Sequence, residues 1–191
     1  MTKIRKTLLF LILITIIISA TAIYVNKASA NTADNITQIE KAKIEKTIRL
    51  SIDLEQKGFV VHQKNTSNNL FTLDEKNNVK KEILEKCKNV FSNKKQLLSK
   101  RLGQLSGIVD MQNDKFIVLD GGARWVKIND ITINGDNATV IAEVRFWSKF
   151  IEDGKVYTPE NTMKLTYILN KEGDLWKIVE YDGDFLPDDE P

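Results

Sequence analysis

The chain has 191 residues, with 28 Lys+Arg against 26 Asp+Glu and a formal net charge of +2. The excess is local: Lys3, Arg5, Lys6 and Lys27 stand in the first 30 residues with no acidic partner, so the remainder carries 24 basic and 26 acidic residues, a net of −2. That balance excludes an electrostatic footprint for nucleic acid, and a single cysteine, Cys87, excludes an internal disulfide, so the folded part must rely on its core.

The first 30 residues read as a targeting segment. A positive start (Lys3, Arg5, Lys6) is followed by an uncharged run from Thr7 to Val25, densest from Leu8 to Ile18, and then by Asn26-Lys27-Ala28-Ser29-Ala30. Small residues at the last and third-last positions suit the shallow pockets of a signal peptidase, and the three parts stand in secretory order. The alternative is an uncleaved anchor, because the run of residues 7–25 is close to the roughly 20 residues that span a bilayer. Basic residues ahead of the run put the rest of the chain outside the cytoplasm in either case. No cysteine follows the run closely enough to be lipidated. The expectation is therefore an extracytoplasmic protein, secreted or held at the cell membrane by residues 7–25.

After a polar linker, 31–35, the predicted elements follow in order. Thr37 with Glu40 has the form of a capping box, and Ile36, Ile39, Ile44, Ile48 and Ile52 recur at helical spacing, so a first helix is expected to about Lys57 with Gly58 as its stop. Phe59–Val61 is a short apolar piece and Lys64–Asn69 a loop. Thr72 with Glu75 opens a second helix whose apolar face is Val79, Ile83, Cys87, Val90 and Phe91, with Leu84 beside it. Ser92 and Asn93 break it, and Leu98, Leu102 and Leu105 mark a third helix ending near Gly107.

The period then becomes two. Phe116–Leu119 is a short strand, with a turn at Asp120-Gly121-Gly122. In Trp125–Asn134, Val126 and Ile128 sit on the opposite parity from Ile131 and Ile133, which predicts a β-bulge near Asn129-Asp130. Gly135-Asp136 is a hairpin turn, and Ala138 to Phe146 alternates strictly. Glu152–Gly154 turns the chain, Met163 to Leu169 alternates again, Lys171–Asp174 turns, and Leu175–Tyr181 is the last strand. Residues 182–191 read as a frayed acidic tail. Helices first and strands after define an α+β class: three N-terminal helices covering the one apolar face of an antiparallel meander, preceded by the apolar leader, with residues 36–181 as one domain.

The run from Val126 to Val140 (VKINDITINGDNATV) resembles the central hairpin of the nuclear-transport-factor-2-like superfamily, and Glu172–Val179 (EGDLWKIV) resembles its closing turn and last strand. The resemblance covers roughly residues 36–181. It implies a curved, cone-like sheet of the cystatin-like kind wrapped over the helices. It implies little about activity, since members include isomerases, dehydratases, transport adaptors, immunity proteins and envelope modules. Exported bacterial members behind one apolar segment resemble non-catalytic modules, so the expectation is a non-enzymatic binding or assembly module at a bacterial cell envelope. Its partner would be a protein of secretion, conjugation or wall-remodelling type. The alternatives are a small-ligand binder or enzyme using the cone interior as a pocket, and an immunity-type inhibitor.

No catalytic residue, metal site or cofactor is expected. His62, the only histidine, has no carboxylate in local register, and one imidazole does not make a metal site. Cys87 lies on an apolar helix face and reads as core. No G-x-S-x-G, Walker loop or H-E-x-x-H is present. The acidic residues from Asp182 to Glu190 miss the EF-hand spacing, and Pro187 interrupts them. The candidate binding residues are Trp125, Arg145 and Trp147, whose parity puts them on the outer sheet face where exposed Trp and Arg mark interfaces. Tyr157 is added from the connection Tyr157–Glu160, expected to be a long loop at the cone mouth.

Overall fold

The computed structural model describes residues 35–55, 72–113 and 115–187. The leader, Gly58, the Phe59–Val61 piece, His62, the Lys64–Asn69 loop and the end of the tail lie outside the described residues. Contacts divide the chain into two compact units, Met1–Ala42 and Lys43–Pro191. Among the described residues of the first unit, 35–42 are helical and Ile36 and Ile39 are exposed. The helix already includes Asn35, so Thr37 lies inside it rather than at its N-cap.

The class is α+β, three helices followed by an open, five-stranded antiparallel sheet. Helix α1 covers residues 35–55, and in the second unit its Ile44, Ile48, Ile52 and Leu54 are buried. Helix α2, Leu73–Val90, begins with the predicted capping box. The Thr72 hydroxyl accepts the Glu75 N–H at 3.2 Å, and the Glu75 carboxylate accepts the Thr72 N–H at 3.0 Å. Both groups would otherwise be orphan donors of the first turn. Phe91 leaves the helix extended and bridges to Ile178, and the Ser92 N–H donates to the Ile178 carbonyl at 2.8 Å. This is the predicted break. A short 3₁₀ turn, Lys94–Gln96, leads into α3, Leu97–Met111. Gly107 does not end α3. A mid-helix glycine costs only about 0.5–1 kcal/mol, and the buried Leu105 and Val109 on either side of it outweigh that.

Strand β1, Phe116–Asn134, runs straight through Asp120-Gly121-Gly122 with no turn. Its ladder with β2, Asn137–Glu152, slips by one residue between Val118 and Asp120, between Ala123 and Trp125, and between Ile128 and Asp130. The last slip is the predicted bulge, and the first two stand where the sequence predicts a turn: each extra residue bends the strand without reversing it. The β1–β2 hairpin closes at Gly135, φ +57°. Strand β3, Lys155–Tyr157, pairs with the far end of β2. Only Thr158 and Pro159 separate it from β4, Glu160–Glu172, so the expected long connection is two residues. Strand β5, Leu175–Phe185, extends four residues further than expected and takes Asp182 and Asp184 into the ladder opposite Thr166 and Lys164. Strand alternation leaves these two carboxylates on the exposed face while Gly183 lies against the Leu165 side chain, so the acidic composition is no obstacle to pairing.

The sheet order is β1-β2-β4-β5, with β3 on β2. Its inner face is the alternating set Ala138, Val140, Ala142, Val144 and Phe146 of β2, Leu165, Tyr167 and Leu169 of β4, and Trp176 and Ile178 of β5. Ile44, Ile48, Ile52 and Leu54 of α1, the Ile83, Cys87 and Val90 of α2, and the Leu105 and Val109 of α3 join them in one buried cluster.

Candidate functional site

Two places in the second unit gather side chains capable of recognition. The first is on the outer face of the sheet. Cross-strand register puts Trp125 opposite Arg145, Arg145 opposite Thr162, and Trp147 opposite Glu160, and paired residues share a face. The second bulge of β1 projects Arg124 over Trp147, with its guanidinium 4.2 Å from the ring centroid. Arg124 Nε donates to Glu160 Oε1 at 2.8 Å, and Arg145 Nη1 donates to Thr162 Oγ1 at 3.0 Å with its Nε 3.6 Å from Glu160 Oε2. The hydrogen bond from Arg124 holds the Glu160 carboxyl below its usual range, with the charges of both arginines acting in the same direction. Trp125 is 44% exposed.

Three of the sequence-derived candidates, Trp125, Arg145 and Trp147, therefore come together. Tyr157 does not join them. It ends β3 and stacks on Phe150, centroids 5.3 Å apart, and Phe150 in turn meets Phe116 at 5.7 Å. Arg124 and Glu160 complete the outer group; the sequence reading places Glu160 only in the connection after Tyr157 and does not single out Arg124. The signal for Arg124 is the bulge that follows the double glycine, which the turn-forming character of Gly121-Gly122 conceals.

The second place is a half-open cleft of about 730 Å³ between α3 and the inner face of β1, β2, β4 and β5. Its walls are largely apolar, including Ile108, Met111, Phe116, Phe146, Phe150 and Met163, with Ser148 and Asn161 among them. At one end Arg101 of α3 pairs with Glu55 of α1, Nη2 to Oε1 at 2.7 Å, both side chains being more than four-fifths buried. Glu55 Oε1 and Arg101 Nε have no hydrogen-bond partner among the described residues. The guanidinium lies 5.0 Å from the Tyr181 ring centroid, and Tyr181 stacks on the buried Tyr167 at 5.8 Å. Burial pushes the Glu55 carboxyl up, and the Arg101 charge opposes it only in part. Burial likewise pushes the Tyr181 phenol up to about 12 and the Tyr167 phenol higher still, with the Glu55 charge adding to both.

Cys87 is fully buried, and desolvation raises its thiol to about 11. Among the described residues no three His, Cys, Asp or Glu side chains gather in a way that could hold a metal ion, and no helix is long and apolar enough to cross a membrane.

No protein-family model matches the chain, and no curated protein does. Among solved structures, the intermembrane space region of the chloroplast protein ARC6 aligns with 54% of this chain and 78% of its own, at 15% identity and a TM-score of 0.46.

Proposed function

We propose that this chain is a non-enzymatic binding module that works outside the cytoplasm at a bacterial cell envelope, delivered or tethered by its apolar leader, and that it engages a protein partner through the outer sheet face around Trp125, Arg145 and Trp147. The observation that carries this reading is the Arg124–Trp147–Glu160–Arg145 arrangement beside the exposed Trp125. Trp and Arg dominate binding energy at interfaces, and here the arginines are already held in place by their own strand neighbours, which lowers the ordering cost of association. The finer fold assignment, a cone-like member of the nuclear-transport-factor-2-like superfamily, belongs to the same proposal. Its support is the order of elements, the three bulges that bend β1, and the helices on one face of the sheet. The partner class, a component of a secretion, conjugation or wall-remodelling assembly, follows from the expected location.

The test is crosslinking in intact cells followed by mass spectrometry, with the wild type beside Trp125→Ala. A discrete protein neighbour, recovered with the wild type and lost with Trp125→Ala while circular dichroism is unchanged, supports the proposal. A neighbour recovered equally well with the folded variant removes the outer face from it. The same experiment reads the mature N-terminus, which distinguishes cleavage after Ala30 from a retained anchor.

A further inference from the structure

We infer that the open edge of β5, from Tyr181 to Phe185, takes an extended segment of another protein as a further strand, and that this segment carries Lys or Arg at every second position. The inference is independent of the outer-face reading. Strand β5 pairs with β4, and among the described residues its other edge is met only at Ile178, where Phe91 forms a bridge. The direction of its backbone groups follows from one hydrogen bond. The Leu186 N–H donates to the Thr162 carbonyl, and the register with β4 is regular from Glu180 to Phe185. Main-chain groups alternate in direction along a strand. Those of Asp182 and Asp184 therefore also turn towards β4, and those of Tyr181, Gly183 and Phe185 point away from the sheet. Such a row is a template for another strand.

Charge selects the strand. Glu180, Asp182 and Asp184 lie on the exposed face, opposite Ile168, Thr166 and Lys164. Three carboxylates thus stand beside one ammonium in a shallow groove along this side of the sheet. A second copy of β5 on the same edge would bring like charges face to face, which is destabilising. A strand with Lys or Arg at alternate positions sets its cations against the carboxylates. Its intervening side chains then fall on the other face, beside the exposed Phe185.

Asp182 adds a selection step. Its Oδ1 accepts the Gly183 N–H at 2.9 Å, and this is a donor that faces the edge, so the centre of the row is capped in the unbound chain. A cationic side chain drawn to the Asp182 carboxylate takes over that acceptor and releases the N–H to a carbonyl of the incoming strand. A neutral strand would have to break the cap while offering the carboxylate nothing in return, so the cap discriminates against it.

The experiment follows the fluorescence anisotropy of labelled synthetic peptides mixed with the full chain. The probes are a short peptide alternating lysine and valine, a block isomer of the same composition, and a counterpart with glutamate in place of lysine. The alternating basic peptide should bind at least about tenfold more tightly than either of the others. Main-chain pairing has its own readout, because an edge bonds only alternate residues of its partner. N-methylation of the valines and N-methylation of the lysines should therefore differ, one weakening binding about tenfold and the other leaving it nearly intact. Asp182→Asn keeps an oxygen to cap Gly183 but loses the charge, and should weaken the alternating basic peptide about tenfold with the circular dichroism unchanged. Asp184→Asn serves the same purpose should Asp182→Asn alter the fold. Equal affinity for the block isomer, or equal effects of the two methylations, overturns strand addition. Unchanged affinity in both folded Asn variants overturns the basic character of the partner. Self-association of the chain that the basic peptide does not reverse would overturn the inference in favour of a second copy. The two readings fail separately, since Trp125→Ala acts on the outer-face site and Asp182→Asn on this edge.

Discussion

Replacing Arg101 by Met tests whether the Glu55–Arg101 contact is a true buried pair. The two side chains are 13% and 18% exposed, for Arg101 and Glu55 respectively, and the pair ties α1 to α3 beneath Tyr181. Met keeps much of the packing volume but leaves the Glu55 carboxylate buried without its cation, for which the expected loss is about 3–5 kcal/mol near neutral pH. For a chain of this length that is a fall of roughly 6–20 °C in Tm. The pH dependence has a definite sign. Glu55 is shifted up in the folded state, so its contribution to stability is complete below its ordinary value of 4.5 and declines as pH rises through the folded value. Removing Arg101 takes away an influence that lowers that value, so the decline becomes deeper and extends to higher pH. The gap between wild type and variant should therefore be small at about pH 4 and widest at about pH 8. Urea denaturation at both pH values, for Arg101→Met, Glu55→Gln and the double variant, measures it. The double variant should recover part of the loss, because no charge is left buried alone. Strictly additive single effects, within about 0.5 kcal/mol, or a loss independent of pH, would refute the reasoning.

Gln112→Leu removes the carboxamide oxygen that accepts the buried Val118 N–H at 3.0 Å, at the junction of α3 and β1. Thermal melting should show a loss of about 1–3 kcal/mol, the cost of an orphaned buried donor. Cys87, with its thiol pushed to about 11 by burial, should react with iodoacetamide at neutral pH at least about 100-fold more slowly in folded than in unfolded protein, and mass spectrometry of timed samples reads the difference.

Comparison of particular elements shows why some of this was legible in the sequence and some was not. The Thr72–Glu75 capping box, the Ser92–Asn93 break, the Gly135-Asp136 hairpin and the alternation of Ala138 to Phe146 depend on residues a few positions apart, and local patterning reports them. The bulge at Asn129 was visible because a change of parity in an apolar row has one simple remedy. The first two bulges had no such row to betray them. Asp120, Gly121 and Gly122 are good turn residues, yet the ladder with Lys149, Ser148 and Trp147 holds them extended. Gly107 stays helical for a related reason, since burial of Leu105 and Val109 on either side of it outweighs a weak local preference.

The sequence by itself determined the helix-then-strand order, the inward face of the central strands and the outward placing of Arg145 and Trp147, because periodicity is a property of neighbouring residues. Only the tertiary structure decided that Arg124 lies over Trp147, that Glu55 meets Arg101 from another helix, that Tyr157 belongs with Phe150, and that a cleft remains beside Ser148 and Asn161. Each of these joins residues on different elements, and their approach depends on where the bulges bend β1 and how the helices seat on the sheet, which no local pattern encodes.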